Sequence, residues 1–168
     1  MGDPKSEDLV DALVADWRRE RPDLDATPMG VVGRILRLGK VLEARANAVL
    51  AETGLNYSDL DVLATLRRSG APHQLSPTAL HESALITSGA MTACLDRLED
   101  RALVSRSASR SDRRSIAVGL TQDGCDLIDQ VIGLRFAEAR DALSALDPAD
   151  QDQLANLLRK LTAALDNA

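Results

Sequence analysis

Aromatic side chains are scarce in this sequence, because its 168 residues include only one Trp, one Tyr and one Phe. A hydrophobic core must therefore be built from Leu, Val, Ile and Ala. Leu and Ala are good helix formers, so the composition favours a helical fold. Apolar residues make up 45% and charged residues 27% of the chain, which is ordinary for a globular protein with one substantial core.

Cysteine is also rare, with only Cys94 and Cys125 in the chain. Two cysteines form neither a disulfide framework nor a zinc finger. No apolar stretch approaches the length of a membrane span, and the polar start MGDPKSED lacks the apolar segment of an export signal. These absences predict a cytoplasmic protein with reduced thiols.

Signatures of catalysis are missing as well. The sequence has no Gly-rich phosphate loop, no nucleophile elbow and no carboxylate–histidine cluster. His73 and His81 are eight residues apart with Glu82 as the nearby acid, which is no recognised metal-ligand spacing. We therefore expect neither an enzyme nor a metal site, and no cofactor.

The net charge of −6 would by itself oppose binding to nucleic acid. Positive charge is concentrated, however, because residues 101–114 include five arginines and a single acid, Asp112. This segment carries +4 and leaves −10 on the rest of the chain. Such a basic patch is typical of a protein that contacts phosphates along one edge. A solvated arginine-rich loop would give the same pattern.

Apolar residues spaced three and four apart predict helices along most of the chain. The first covers residues 6–20, and a long second helix opens at Pro28 and ends near Gly54. Two more helices are predicted near the C-terminus, one capped by Thr121 and one restarting at Pro148.

Three shorter helices are predicted between these. The third helix begins at Asn56 or Ser58, and Ser58 has Asp61 at the spacing of a capping box. A brief strand at residues 74–75 precedes a short fourth helix that is capped by Ser76.

The fifth helix starts near residues 87–88 and has two distinct faces. Met91, Leu95 and Leu98 recur at helical spacing and are predicted to face inward, together with Cys94 as a buried thiol. The opposite face carries mostly small residues, namely Ser88, Gly89, Thr92, Ala93 and Asp96. Two short runs, residues 104–109 and 115–120, then predict a β-hairpin with a basic tip.

Three helices followed by a hairpin make a winged helix-turn-helix. A helix with a small-residue outer face can enter the major groove, and an arginine-tipped hairpin beside it can reach the minor groove. We therefore predict a mainly α fold with a small β-hairpin wing that binds double-stranded DNA. The candidate DNA-binding residues are Ser76, Thr78, Thr87, Ser88, Gly89, Thr92, Arg97, Arg110, Asp112, Arg113 and Arg114.

Residues 75–121 carry the motifs of a known family. They include S-G-A-M-T and D-R-L-E in the fifth helix, and D-R-R-S followed by V-x-L-T in the wing. This stretch resembles the MarR family of winged helix-turn-helix transcriptional regulators. The resemblance implies a homodimer in which the first helix and the last two interlock, with one winged unit per protomer on a pseudo-palindromic operator.

The resemblance also implies an organisation of the chain. Residues 1–168 would form a single MarR-like domain, with a winged helix-turn-helix region at 56–120 and a helical dimerisation region at 1–55 and 121–168. The last helix presents a leucine face made of Leu154, Leu157, Leu158, Leu161 and Leu165. Spacing alone does not say whether that face meets its own chain or a second one.

Within the family, the chain is most similar to a urate-responsive subgroup. The likeness lies in W-R-x-E-R-P-D-L-D near the start and in L-D-V-L-A-T-L-R-R-S-G of the third helix. It implies that Trp17, Asp61 and Arg106 line a cleft for a small planar or anionic effector. Cys94 stands at the position where the subgroup carries an arginine.

Each of these ligand residues has a simpler interpretation. A lone Trp17 on an apolar helical face commonly serves packing. Asp61 would be an exposed first-turn acid that closes a capping box with Ser58. Arg106, at the root of the hairpin, would serve DNA rather than a cleft.

A ligand-responsive DNA-binding repressor is the leading hypothesis. The alternatives are a regulator that senses oxidants through a thiol, and a helical protein-interaction module that does not bind DNA. Binding that depends on sequence and falls steeply with salt distinguishes a DNA-binding protein from an interaction module.

Overall fold

The computed structural model of the chain describes residues 7–86, 88–108 and 116–166. Helices dominate it, joined by short turns and one small sheet. The elements are α1 (Leu9–Glu20), α2 (Thr27–Leu50), a 3-10 turn (Ala51–Thr53), α3 (Tyr57–Arg68), β1 (Gln74–Leu75), α4 (Pro77–Ser83), α5 (Ser88–Asp100), β2 (Val104–Ala108), β3 (Ile116–Leu120), α6 (Gln122–Ala142) and α7 (Pro148–Asp166). None of the helices in these ranges combines the length and the hydropathy needed to cross a membrane.

Contacts within the chain divide it into two compact units, Met1–Arg45 and Ala46–Ala168. In the first unit, Val10, Val14 and Ala26 form a small buried cluster. The Arg34 guanidinium pairs there with the Asp11 carboxylate at 2.7 Å, linking α2 to the first turn of α1.

A larger core fills the second unit. It is made almost entirely of aliphatic side chains, as the shortage of aromatic residues predicts. Leu63 and Leu66 of α3, Leu98 of α5, Val118 of β3 and Ile128 of α6 are all fully buried in it. The four elements that carry these residues therefore share one core.

Helix α3 shows where the predicted caps are right and where one is wrong. Asn56 is the N-cap, and its side chain accepts a hydrogen bond from the Asp59 amide at 2.9 Å. Asp59 closes the capping box by accepting from the Asn56 amide. The alternative box between Ser58 and Asp61 is wrong, because Asp61 is buried rather than exposed on the first turn.

The start of α6 confirms another predicted cap and shows a close backbone approach. The Thr121 hydroxyl oxygen accepts from the Gly124 amide at 3.0 Å. An added Cβ on Gly124 would lie 2.0 Å from the Leu103 carbonyl oxygen. Only glycine therefore lets the first turn of α6 lie against the residue that precedes β2.

The three strands form an antiparallel sheet in the order β1-β3-β2. Gln74 pairs with Gly119, which confirms the brief strand predicted at residues 74–75. In the hairpin, Val104 pairs with Leu120 and Ala108 pairs with Ile116. The predicted hairpin is therefore present, and its tip at 109–115 lies outside the described residues.

Candidate nucleic-acid interface

Helices α4 and α5 form the two helices of the predicted helix-turn-helix. A groove of about 390 Å³ lies between them, lined by Pro77, Thr78, His81, Glu82, Met91 and Thr92. The structure thus places Thr78 and Thr92, two predicted DNA-binding residues, along one groove. His81 also lines it, one helical turn after Thr78, a spacing from which the sequence could have assigned it to the same face.

Helix α5 has the two faces that its sequence predicts. Met91, Cys94, Leu95 and Leu98 are buried and pack into the core. The opposite face is exposed at Gly89, Thr92, Ala93, Asp96 and Arg97. Apart from Arg97, these exposed residues have short side chains, so the helix is slim on the side that would meet DNA.

The first turn of α4 carries Ser76 and Thr78, both exposed. Ser76 is the N-cap, and its hydroxyl oxygen accepts a hydrogen bond from the Ala79 amide at 3.1 Å. Its O–H hydrogen remains able to donate to a phosphate oxygen.

Arg97 and Cys94 converge on one carboxylate. The Arg97 guanidinium donates to Asp59 Oδ1 at 2.7 Å, and the Cys94 thiol donates to the same oxygen at 3.2 Å. Asp59 is only 4% exposed, whereas the Arg97 side chain is 46% exposed. We call Asp59, Cys94 and Arg97 the Asp59 cluster.

The Cys94 thiol is fully buried, as the apolar spacing of α5 predicts. Burial, and after it the hydrogen bond to the Asp59 carboxylate, raise the pKa of this thiol to about 12. At physiological pH the thiol is therefore protonated and acts as a neutral hydrogen-bond donor. Because the thiolate is the nucleophilic and oxidisable form, we expect Cys94 to be unreactive.

Arg106 connects the wing to α5. It lies on β2, and its guanidinium contacts the Asp96 carboxylate at 2.6 Å and the Glu99 carboxylate at 2.5 Å. The Arg106 amide also donates to Glu99. These pairs raise the pKa of Arg106, with the hydrogen bond to Asp96 as the largest cause. Arg106 thus neutralises two acids on the helix proposed to read DNA.

Arg101 is likewise engaged within the protein. Its guanidinium donates to the carbonyl oxygens of Gly54 at 2.8 Å and Thr53 at 3.1 Å. Two of the five arginines that make the basic segment, Arg101 and Arg106, are therefore bound to protein groups. The other three, at positions 110, 113 and 114, lie outside the described residues.

Asp61, a candidate ligand residue, is buried and bound to the turn before α5. Its carboxylate accepts a hydrogen bond from the Leu85 amide at 2.5 Å. The Asp61 charge contributes to the raised pKa of Cys94, so these two candidates are near each other. Arg106 is engaged instead with the acids on the exposed part of α5.

Trp17 belongs to the first unit, Met1–Arg45. The residue is 52% exposed and lines a pocket of about 260 Å³ with Arg21, Leu24, Asp25, Ala26 and Met29. Most of that lining is apolar, so the pocket suits a flat apolar group. Arg21 and Asp25 add one positive and one negative side chain that could pair with a charged substituent on such a group. Trp17 is therefore not a fully packed core residue.

Other candidate residues fall where the structure gives no description. Thr87 and the wing residues Arg110, Asp112, Arg113 and Arg114 lie outside the described residues, as does the side chain of Ser88. Within the described ranges, no group of three His, Cys, Asp or Glu side chains is placed to hold a metal ion.

Comparison with known proteins decides the family. The profile of the MarR family matches residues 55–116. The transcriptional regulator PecS of Dickeya dadantii is 35% identical over 158 residues, which cover 94% of this chain and 95% of PecS. The chain belongs to the MarR family. It is accordingly a DNA-binding transcriptional regulator with the winged helix-turn-helix fold.

Two other similar proteins extend the comparison. The repressor Rv2887 of Mycobacterium tuberculosis is 33% identical over 138 residues, covering 82% of this chain and 95% of Rv2887. The solved structure of Bordetella bronchiseptica BpsR, whose DNA binding is regulated by 6-hydroxynicotinic acid, has a TM-score of 0.70 and 26% identity. The similarity covers 78% of this chain and 92% of that chain.

Proposed function

We propose that this MarR-family protein is a homodimeric, effector-responsive repressor that binds a pseudo-palindromic operator in the cytoplasm. In this proposal residues 1–168 act as one domain, with the winged region at 56–120 contacting DNA and the flanking 1–55 and 121–168 forming the dimer. The observation that supports it most is a slim, exposed α5 face beside the β2–β3 hairpin, in a chain whose terminal helices leave apolar faces uncovered.

The uncovered apolar faces support the homodimer. Across the described span of α7, Pro148–Asp166, no side chain is buried, and Leu157, Leu158, Leu161 and Leu165 are exposed. Large apolar side chains are exposed on α1 and on α6 as well, for example Leu13 and Phe136. Exposed apolar area of this extent marks an interface. Most oligomers are formed by identical chains that bind through the same surface on each protomer, so a second copy of this chain is the expected partner.

Small polar side chains on α4 and α5, together with the arginines of the wing sequence, support the proposed DNA interface. Thr78 and Thr92 line the α4–α5 groove, where hydroxyls and small side chains admit a base edge. Arginines at 110, 113 and 114 would add cations in the wing, with Asp112 orienting one of them. Two such units in a dimer would read half-sites about one helical turn, roughly 34 Å, apart.

The candidate effector site draws on Trp17, Asp61, Cys94 and Arg106. Trp17 supplies an exposed aromatic face, and Asp61 holds the turn before α5 through the Leu85 amide. A small planar or anionic effector that moved Asp61 would shift the start of α5, and so favour a dimer geometry that no longer fits the operator. BpsR, which responds to an aromatic carboxylic acid, gives this class of effector a precedent in a related fold.

A regulator that senses oxidants through Cys94 is the second candidate function. The structure favours it less, because burial and Asp59 keep the thiol protonated. A protein-interaction module without DNA binding is disfavoured by membership of the MarR family.

The dimer can be tested on α7. Leu161→Glu places a charge on the leucine face, whereas Asn156→Glu places the same charge on the opposite side of the helix. We expect Leu161→Glu, like deletion of residues 147–168, to give monomers in sedimentation and to lose tight DNA binding. Asn156→Glu should remain dimeric and bind DNA as the unmodified protein does. Dimers from both charge variants would refute this interface.

The division of labour on DNA is tested by comparing variants of the wing with a variant of α5. Arg113→Ala or Arg114→Ala should weaken binding to all sequences alike and lower the salt slope by about one unit for a lost phosphate contact. Thr92→Ala should instead change the preference between sequences. The same loss of discrimination from wing and helix variants would contradict the proposal.

A further inference from the structure

The Asp59 cluster joins the first turn of α3 to the middle of α5. Asp59 is the third residue of α3, and one carboxylate oxygen is used to close the capping box with the Asn56 amide. The other oxygen accepts from both Cys94 and Arg97, which are three residues apart on α5. One buried side chain therefore fixes both the start of α3 and the position of α5.

We propose that Asp59 is a positioning residue that holds the Arg97 guanidinium ready to contact DNA. The inference rests on the proposed DNA interface and assigns a role to an acid that contacts no DNA itself. Arg97 lies on the exposed face of α5 together with Thr92 and Ala93. Its side chain is 46% exposed although one of its nitrogens is bound to Asp59.

The geometry leaves Arg97 with donors to spare. A guanidinium carries five N–H donors in a rigid fork, and the contact with Asp59 comes from a single terminal nitrogen. The remaining donors can serve a phosphate oxygen or a guanine edge. A long arginine side chain that is already held loses less conformational freedom when DNA arrives.

The buried position of Asp59 makes the hold specific. A carboxylate removed from water must be paired and hydrogen-bonded, and here the three donors are the Asn56 amide, the Cys94 thiol and the Arg97 guanidinium. The hydrogen bond to Asp59 is also the main cause of the raised pKa of Arg97. Cys94 also donates a hydrogen bond to Asp59, but the thiol is neutral. The negative charge of Asp59 is therefore balanced by Arg97 alone within the Asp59 cluster.

An ion pair that only stabilises the packing of α3 on α5 is the competing explanation. The two explanations differ in the sign of one effect. Near DNA, removal of a negative charge should strengthen binding through electrostatics alone. If Asp59 positions Arg97, removal of the same charge should weaken binding, because Arg97 must then be ordered during association.

The test is Asp59→Asn, with Asp100→Asn as the matched control that removes one exposed carboxylate from α5. Affinity is measured over a salt series with a duplex that the unmodified protein selects from random DNA. We expect Asp59→Asn to bind about threefold to tenfold more weakly with an unchanged salt slope, since Arg97 keeps its charge. Asp100→Asn should bind as tightly as the unmodified protein or more tightly.

Arg97→Gln completes the cycle with Asp59→Asn. The single Arg97→Gln change should lower the salt slope by about one unit per contact, and adding Asp59→Asn to it should cause little further loss. Asp59→Asn binding as tightly as Asp100→Asn would overturn the inference while leaving the proposed function intact. If the unmodified protein shows no sequence-dependent binding to DNA, the proposed function itself is contradicted.

Arg97→Lys is a second variant that tests the inference even if Asp59→Asn fails to fold. A lysine preserves the charge and the pairing with Asp59 but has no fork to serve two partners at once. We expect a native thermal unfolding curve, an unchanged salt slope and weaker binding. Affinity equal to that of the unmodified protein would show that Arg97 acts only in packing and would overturn the inference.

Discussion

The Cys94 thiol should resist both oxidation and alkylation in the folded protein. Its pKa of about 12 compares with an ordinary value of 9.0, and the change comes from burial first and from Asp59 second. At pH 7 the thiolate fraction is then roughly 1 in 100,000, against roughly 1 in 100 for a thiol at the ordinary value. The reaction with peroxide should be slower by about a thousandfold before steric protection is counted.

The same shift makes stability depend on alkaline pH. The folded protein binds the Cys94 proton more tightly than the unfolded chain, so the contribution to stability is fully present below pH 9. It declines as the pH rises from 9 towards 12, and the full shift corresponds to roughly 4 kcal/mol as an order of magnitude. Cys94→Ala should lack this decline, which separates it from the titration of lysines and tyrosine.

Mass spectrometry after timed alkylation measures the reactivity directly. Cys125, which is partly exposed, is the internal control for Cys94 in the same sample. We expect Cys125 to be labelled first and Cys94 only after unfolding in urea. DNA release by peroxide that disappears in Cys94→Ser would refute this reasoning and identify the thiol as a sensor.

Three other changes probe the packing, the wing and the effector. Gly124→Ala places a Cβ 2.0 Å from the Leu103 carbonyl oxygen and should lower the free energy of unfolding in urea by about 1–3 kcal/mol. The control Gly133→Ala, where the added Cβ meets nothing within 4 Å apart from the neighbouring residues and backbone of its own helix, should not destabilise the protein. Arg106→Ala removes partly exposed ion pairs, so the free energy of unfolding should change by less than about 1 kcal/mol. DNA affinity should nevertheless fall, because two acids on α5 lose their neutralising partner. Unchanged affinity in an anisotropy titration would contradict this reasoning. Urate should release the protein from DNA poorly, because the neutral thiol of Cys94 offers no cation to an anion, and release at micromolar urate would show that reasoning to be wrong.

Features set by neighbouring residues could be predicted from the sequence. The caps at Ser76 and Thr121 are local hydrogen bonds between residues three apart, and both are present. The faces of α5 follow from apolar spacing, which needs no knowledge of the partner helix. The hairpin follows from alternation in β3, so the architecture of the winged region was accessible from pattern alone.

Partners that are distant in the chain could not be predicted. Arg97 meets Asp59 across 38 residues and Arg101 meets the Gly54 carbonyl across 47, and no spacing rule connects them. Arg101 therefore counted as part of a basic patch although it binds backbone carbonyls. The positive charge available to DNA is smaller than the arginine count of the segment suggests.

The cap of α3 shows how a local rule can be ambiguous. Asn56 with Asp59 and Ser58 with Asp61 both satisfy the spacing of a capping box. The structure uses the first pair, and Asp61 is free to bind the Leu85 amide from a buried position. Tertiary packing decides between two registers that are locally equivalent, so spacing alone could not assign the role of Asp61.

Selection of bound duplexes from random DNA tests the central claim most directly. A dimeric winged regulator should enrich a pseudo-palindrome whose half-sites lie about one helical turn apart, and binding to it should weaken steeply as salt is raised. Leu161→Glu should fail to enrich the two-fold site. Absence of any enriched sequence, or enrichment of an isolated half-site by the unmodified protein, would contradict the account.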